Sequence, residues 1–166
     1  MVLAGLVVGL AACGENEPVR DETAATPEPA QTTVGELVEQ IGDDTGAKPE
    51  IPAPEGHPPA ELVTRDIVKG KGGAAKAGDD VRVQYVGVSW VSGQEFDTSW
   101  GREPFEFELG KGKVIPGWDQ GVEGMRPGGR RLLIVPPEMA YGAQGSPPAI
   151  GPNETLVFVI DLEQAA

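Results

Sequence analysis

What constrains this chain most is a set of segments in which apolar and polar residues take turns. Val81-Arg82-Val83-Gln84-Tyr85-Val86 and Phe105-Glu106-Phe107-Glu108-Leu109 have the two-residue period of a strand with one buried and one wet face. Residues 155–162 repeat it, with Leu156, Phe158, Ile160 and Leu162 on one side. Residues 62–68, 95–97 and 131–135 are further strand candidates, and Ser92-Gly93 suits a hairpin turn. One helix stands against them. Pro116 fits a first helical turn, and Trp118, Val122 and Met125 at i, i+4 and i+7 form a narrow apolar stripe. Gly117, Gly121 and Gly124 make it a poor helix by propensity, so packing must hold it. The expected fold class is α+β: a curved antiparallel sheet of about five strands wrapped around one short helix.

The first part of the chain obeys a different pattern. Residues 2–12 form an uncharged apolar run, shorter than the roughly 20 residues that a spanning helix needs but suited to the core of an export signal. It ends in Leu10-Ala11-Ala12-Cys13-Gly14, where the chain's single cysteine stands at the place of a bacterial lipobox cysteine. The expectation is a lipoprotein signal over residues 1–12 and lipidation of Cys13, with an ordinary signal peptide and a chance cysteine as the alternative. That would anchor the protein by lipid in the cell envelope, on the extracytoplasmic side of a bacterial membrane. No Lys or Arg precedes the run, although an export signal normally opens with positive charge, so translation is expected to start upstream of Met1. Residues 13–59 are acidic and rich in proline, which predicts a disordered tether. Val34, Leu37, Val38 and Ile41 fall at helical spacing within it, a short helix that would be marginal alone. The tether would space a domain at residues 60–166 from the membrane; docking a partner is the other role open to it.

Charge and residue types exclude several functions. A net charge of −13 is wrong for nucleic acid, whose phosphates call for a basic surface. With one cysteine and one histidine, His57 in a proline-rich stretch, a zinc site or a nucleophile–histidine pair is hard to assemble, so no metal and no cofactor is expected. The glycine-rich stretches at 70–78 and 110–113 lack the strand-to-helix setting of a phosphate loop and read as turns. A single small domain also leaves no room for the two lobes of a solute-binding protein. Aromatic residues make up only 5% of the chain, so Tyr85, Phe96, Phe105, Trp118, Tyr141 and Phe158, each on a different segment, must share one core. Such a core, with a tyrosine hydroxyl at its edge, can remain open as an apolar pocket.

Six segments in order decide the family: Val83-Gln84-Tyr85-Val86-Gly87, Gly93-Gln94-Glu95-Phe96-Asp97-Thr98-Ser99, Pro104-Phe105-Glu106-Phe107-Glu108-Leu109-Gly110, Val114-Ile115-Pro116-Gly117-Trp118-Asp119-Gln120-Gly121-Val122, residues 136–142 and residues 155–158. Together they resemble the successive motifs of FKBP-type peptidyl-prolyl cis/trans isomerases, the macrolide-binding immunophilins, over about residues 60–166. The resemblance implies an enzyme that rotates Xaa–Pro bonds without a covalent intermediate, acting as a monomer on proline-containing unfolded or exported polypeptides and inhibited by macrolides. It implies a pocket floored by Trp118 and walled by Tyr85, Phe96, Phe105, Val114, Ile115, Ile150 and Phe158. Asp97 and the Tyr141 hydroxyl would supply its polar groups, with Tyr85 beside Asp97 counted among the catalytic residues. Arg102 would orient Asp97, and the amide of Ile115 would donate to a bound ligand. Ser146 and Ala149 stand where many members carry a histidine and a larger aliphatic residue. They support the rival expectation, a catalytically weak peptide-binding chaperone or interaction module with the same fold.

Overall fold

The computed structural model describes residues 33–166, so the apolar run, Cys13 and the start of the acidic segment lie outside the described residues. Six strands form one antiparallel sheet: β1 Val63–Val68, β2 Asp80–Ser89, β3 Glu95–Thr98, β4 Phe105–Glu108, β5 Gly129–Val135 and β6 Leu156–Ala165. The order across it is β1-β5-β6-β2-β3, with β4 also paired to β2. The start of β2 pairs with β4 through Val81–Phe107 and Val83–Phe105; its end pairs with β3 through Val86–Thr98 and Gly87–Asp97. Two short strands thus share one edge position, which is why a sheet read as about five strands has six. Residues 99–104 leave the edge between them and return to it.

Alternation sorts the side chains cleanly. Val81, Val83, Phe107, Leu133, Val135, Leu156, Phe158, Ile160 and Leu162 meet on one face, around α2 (Pro116–Val122). Helix α2 can lie close to the sheet because of its glycines. A Cβ on Gly117 would come within 2.3 Å of Val135, and one on Gly121 within 2.7 Å of Leu133. The residues that weaken the helix are therefore those that let it dock, and packing offsets a propensity deficit of about 1 kcal/mol per glycine. The apolar stripe outlasts the helix, for Met125 is buried with Trp118 and Val122 although α2 ends at Val122.

The opposite face corrects the tether expectation. From Thr33 onward the segment read as a disordered tether is folded against the sheet. Thr33 caps α1 (Val34–Gln40) in a reciprocal arrangement with Glu36, and Leu37 and Ile41 are buried. They pack on Val86, Val88, Trp90, Leu132, Ile134, Val157 and Val159, with Ile51 at the margin. Arg130 fastens this strap. Its guanidinium makes two 2.6 Å contacts to the carboxylate of Asp161, directly opposite in the β5–β6 ladder. It also donates to the carbonyls of Gly42 (2.6 Å) and Ala47 (2.8 Å), and the Trp90 indole donates to Gly56 at 3.0 Å. Prolines and acids in the strap prevent a long helix; they do not prevent an extended segment from covering apolar strands. The described part thus carries two short α-helices rather than one, and no described helix is long and apolar enough to cross a membrane.

Candidate functional site

The site is built where the edge of the sheet is irregular. Gly87 pairs with Asp97, but Val88 pairs with Glu95, so Phe96 is an extra residue in β3. Such a bulge turns two consecutive side chains toward the same side. Phe96 reaches the ring of Phe158 at 5.6 Å between centroids, and Asp97 reaches Tyr85. Gly87 supplies the space opposite: a Cβ there would lie 2.6 Å from Phe96 and 2.8 Å from Phe158.

Trp118, at the start of α2, is the hub. Its ring meets Tyr85 at 5.0 Å, Phe158 at 5.3 Å, Phe107 at 5.8 Å and Phe105 at 6.1 Å, three of the four edge-on. Edge-to-face contacts at such distances add to the burial energy and fix ring orientation. The indole N–H is buried and has no acceptor among the described residues. Above it opens a cavity of about 260 Å³ lined by Tyr85, Phe96, Asp97, Phe105, Lys113, Val114, Ile115, Trp118, Tyr141 and Phe158. Phe105 and Tyr141 are two-fifths exposed, at 40% and 42%, and form its rim.

The polar groups are unequal in freedom. The Asp97 carboxylate accepts from the Tyr85 hydroxyl at 2.5 Å, from Arg102 at 2.7 Å and from the Thr98 amide at 2.9 Å. Burial works against its charge, but the bonds from Tyr85, Arg102 and Thr98 outweigh that and hold it below the usual carboxylate range. Burial first, and then the bond to Asp97, push the Tyr85 phenol far up. The Tyr85 hydroxyl is thereby committed to Asp97. Tyr141 differs: burial and the nearby Asp97 charge raise its phenol too, so it stays a protonated donor, but its hydroxyl has no partner among the described residues. The loop before Trp118 is set by Asp119, whose carboxylate accepts from the amides of Gly110 and Gly112, both at 2.9 Å.

The structure brings together nine of the ten residues expected at the pocket: Tyr85, Phe96, Asp97, Phe105, Val114, Ile115, Trp118, Tyr141 and Phe158. Ile150 is the exception. It is buried in the core and does not line the cavity, because its amide and carbonyl both bond Ser146 and turn it inward. Ser146 and Ala149 are absent from the wall as well. Lys113 was not expected there; only its place beside Val114 and Ile115 could have marked it. Cys13 lies outside the described residues.

Comparison with known proteins identifies the family. Residues 71–163 match the family described as FKBP-type peptidyl-prolyl cis-trans isomerase. The chain is 55% identical over 117 residues to an FK506-binding protein of Streptomyces anulatus, covering 69% of this chain and 94% of that protein. It is 47% identical over 119 residues to a probable FK506-binding protein of Corynebacterium glutamicum, covering 71% and 98%. Among solved structures it is similar to FkpA from Escherichia coli, with a TM-score of 0.57 and 45% identity over 63% of this chain, and it spans about half of that longer chain, 47%. This chain belongs to the FKBP-type peptidyl-prolyl cis-trans isomerase family and is an isomerase of that kind.

Proposed function

We propose that the cavity over Trp118 takes the prolyl ring of a polypeptide and lowers the barrier to rotation of the preceding bond, with no covalent intermediate. One observation carries this: an apolar cavity walled by rings, with one carboxylate fixed at its side and one hydroxyl free at its rim. Rotation about an Xaa–Pro bond breaks amide resonance, a barrier of about 18–20 kcal/mol in ordinary amides. The planar amide is the more polar state, because resonance puts negative charge on oxygen. Moving it from water into an apolar wall favours the twisted state by comparison. Asp97 is held ionised by three donors and so is no proton shuttle near neutral pH; it sets the field beside the rotating bond. Tyr85 and Arg102 keep it there, and Tyr141 donates to a substrate carbonyl.

On this reading the natural substrates are exported proteins with slow proline steps, met in the cell envelope by a protein anchored through Cys13 and acting as a monomer, and macrolides compete for the cavity. The rival, a weakly catalytic chaperone, drew its support from Ser146 and Ala149, which do not line the cavity. The chain should accelerate cis-to-trans conversion of an Xaa–Pro tetrapeptide, and a macrolide should suppress that. Asp97→Val should lower kcat/KM about tenfold, which corresponds to about 1.4 kcal/mol of lost transition-state stabilisation, and Tyr141→Phe by less. Unchanged rates in both variants would remove these residues from the mechanism. Lipid labelling that persists in Cys13→Ser would remove the anchor.

A further inference from the structure

Although the chain carries 26 acidic and 13 basic residues, the bases are not evenly spread. Residues 67–78 contain Lys69, Lys71 and Lys76 and no acid. Backbone bonds bring this loop against two others. Lys71 donates to Pro127 at 2.9 Å, Ala75 to Met125 at 2.7 Å and Gly78 to Leu109 at 2.8 Å, while Arg126 reaches the carbonyl of Gly72. Gly110 lies against Ala77, so Lys111 and Lys113 continue the same end of the molecule. Lys113 then enters the wall of the cavity over Trp118.

Most carboxylates at this end are already engaged. Glu108 pairs with Lys111 at 3.3 Å, Asp66 with Arg131 at 2.6 Å, Asp119 is taken by two glycine amides and Asp79 accepts from the Lys76 amide. Exposed Glu123 and Asp80 stand against them. Lys69, Lys71, Lys76 and Lys113 are exposed and make no ion pair or side-chain hydrogen bond among the described residues. In an acidic protein, free lysines gathered on one end and running to the mouth of the site suit a segment of opposite charge.

We infer that this end is a docking surface for an acidic stretch of the same polypeptide whose proline enters the cavity, with Lys113 joining surface to site. The inference rests on the proposed peptide-binding role of the cavity. At about 0.1 M salt, charges more than about 10 Å apart are largely screened, so an approaching segment senses the local lysines rather than the net charge. Complementary charge of this kind steers encounter and fixes register, and its effect fades as salt rises.

The test uses the full chain and one Xaa–Pro core flanked by a run of Glu, Gln or Lys, with cis/trans exchange and affinity both measured by NMR. The Glu-flanked peptide should be processed about tenfold faster than the Lys-flanked one at about 0.1 M salt, the low end of the range for charge steering. That ratio should approach one at about 0.5 M salt, and it should fall several-fold in the triple variant Lys69→Gln, Lys71→Gln, Lys76→Gln. A ratio at or below one in the native chain overturns the inference, as does a ratio that the triple variant leaves intact. Loss of binding to phosphatidylglycerol vesicles in the triple variant, with the peptide ratio unmoved, would assign the lysines to a membrane and overturn it too. If exchange of no peptide is accelerated, the cavity's proposed role fails, and the affinity ratio among the three peptides still decides the docking surface by the same criterion.

Discussion

The two faces of the sheet are closed in opposite ways. One is covered by α2, seven residues long, whose glycines sink it into β5 and whose Trp118 floors an open cavity walled by the rings of Tyr85, Phe96, Phe105, Tyr141 and Phe158. The other is covered by a strap that contributes Leu37, Ile41 and Ile51 to aliphatic strands and is tied down by Arg130. Aromatic rings set edge-on leave a gap of defined shape over Trp118; on the other face the aliphatic side chains of Leu37 and Ile41 are buried against the strands, and a cavity of about 670 Å³ opens beside them where residues 48–52 of the strap meet Val86, Val88 and Glu95. The same strands therefore carry stability on one side and chemistry on the other, and β2 serves both through alternate residues, Tyr85 and Gly87 facing the cavity and Val86 and Val88 the strap.

This division can be broken from either side. The largest effect is expected for Arg130→Met, which leaves Asp161 buried without its partner and frees two strap carbonyls. Loss of one member of a buried pair costs about 3–5 kcal/mol, to be read in urea unfolding, while the folded fraction should keep its isomerase rate. A stability change under about 1 kcal/mol would mean the strap is not held as described. Leu37→Ala is next, at about 2–5 kcal/mol for a fully buried leucine and again with the rate per folded molecule retained. If instead Leu37→Ala is neutral, α1 does not cover the sheet in solution.

The smallest effect sharpens the other face. Asp97 has a folded pKa below its unfolded value of about 3.9. Its bonds therefore support the site at every pH above that value and are lost only as pH falls through the lower, folded value. The pH–rate profile should be flat from about pH 8 to about pH 5 and drop only in acid, near or below the ordinary carboxylate range. An inflection near neutrality would show a proton-transferring group that the geometry does not contain.

Much of the cavity face was legible in the sequence. Its residues recur every second position in Val81-Arg82-Val83, Phe105-Glu106-Phe107 and the run from Leu156, and those are the residues found around α2. The strap face was legible only indirectly. Leu132-Leu133-Ile134-Val135 and Leu156-Val157-Phe158-Val159-Ile160 are continuous apolar runs, the mark of strands buried on both faces. They required a second cover, and the acidic, proline-rich composition of residues 33–59 hid the few side chains that supply it. Nothing local announces that Arg130 bonds carbonyls 83 and 88 residues away. The bulge at Phe96 was equally hidden, since only the pairing partner, with Gly87 opposite Asp97 and Val88 opposite Glu95, reveals the extra residue. Ile150 was misplaced for a related reason, as the hydrogen bonds to Ser146 that turn it inward depend on the loop's shape.

The chain's three tryptophans offer the most direct test, because they report on different surroundings. Trp118 floors the cavity with an unpartnered indole N–H, Trp90 lies under the strap and donates to Gly56, and Trp100 packs beside the strap-side core. In an indole N–H spectrum titrated with an Xaa–Pro peptide, the Trp118 resonance should move to saturation while that of Trp90 stays in place. Movement of Trp90 with a stationary Trp118, while exchange of the peptide is accelerated, would place proline binding on the wrong face of the sheet and contradict the account.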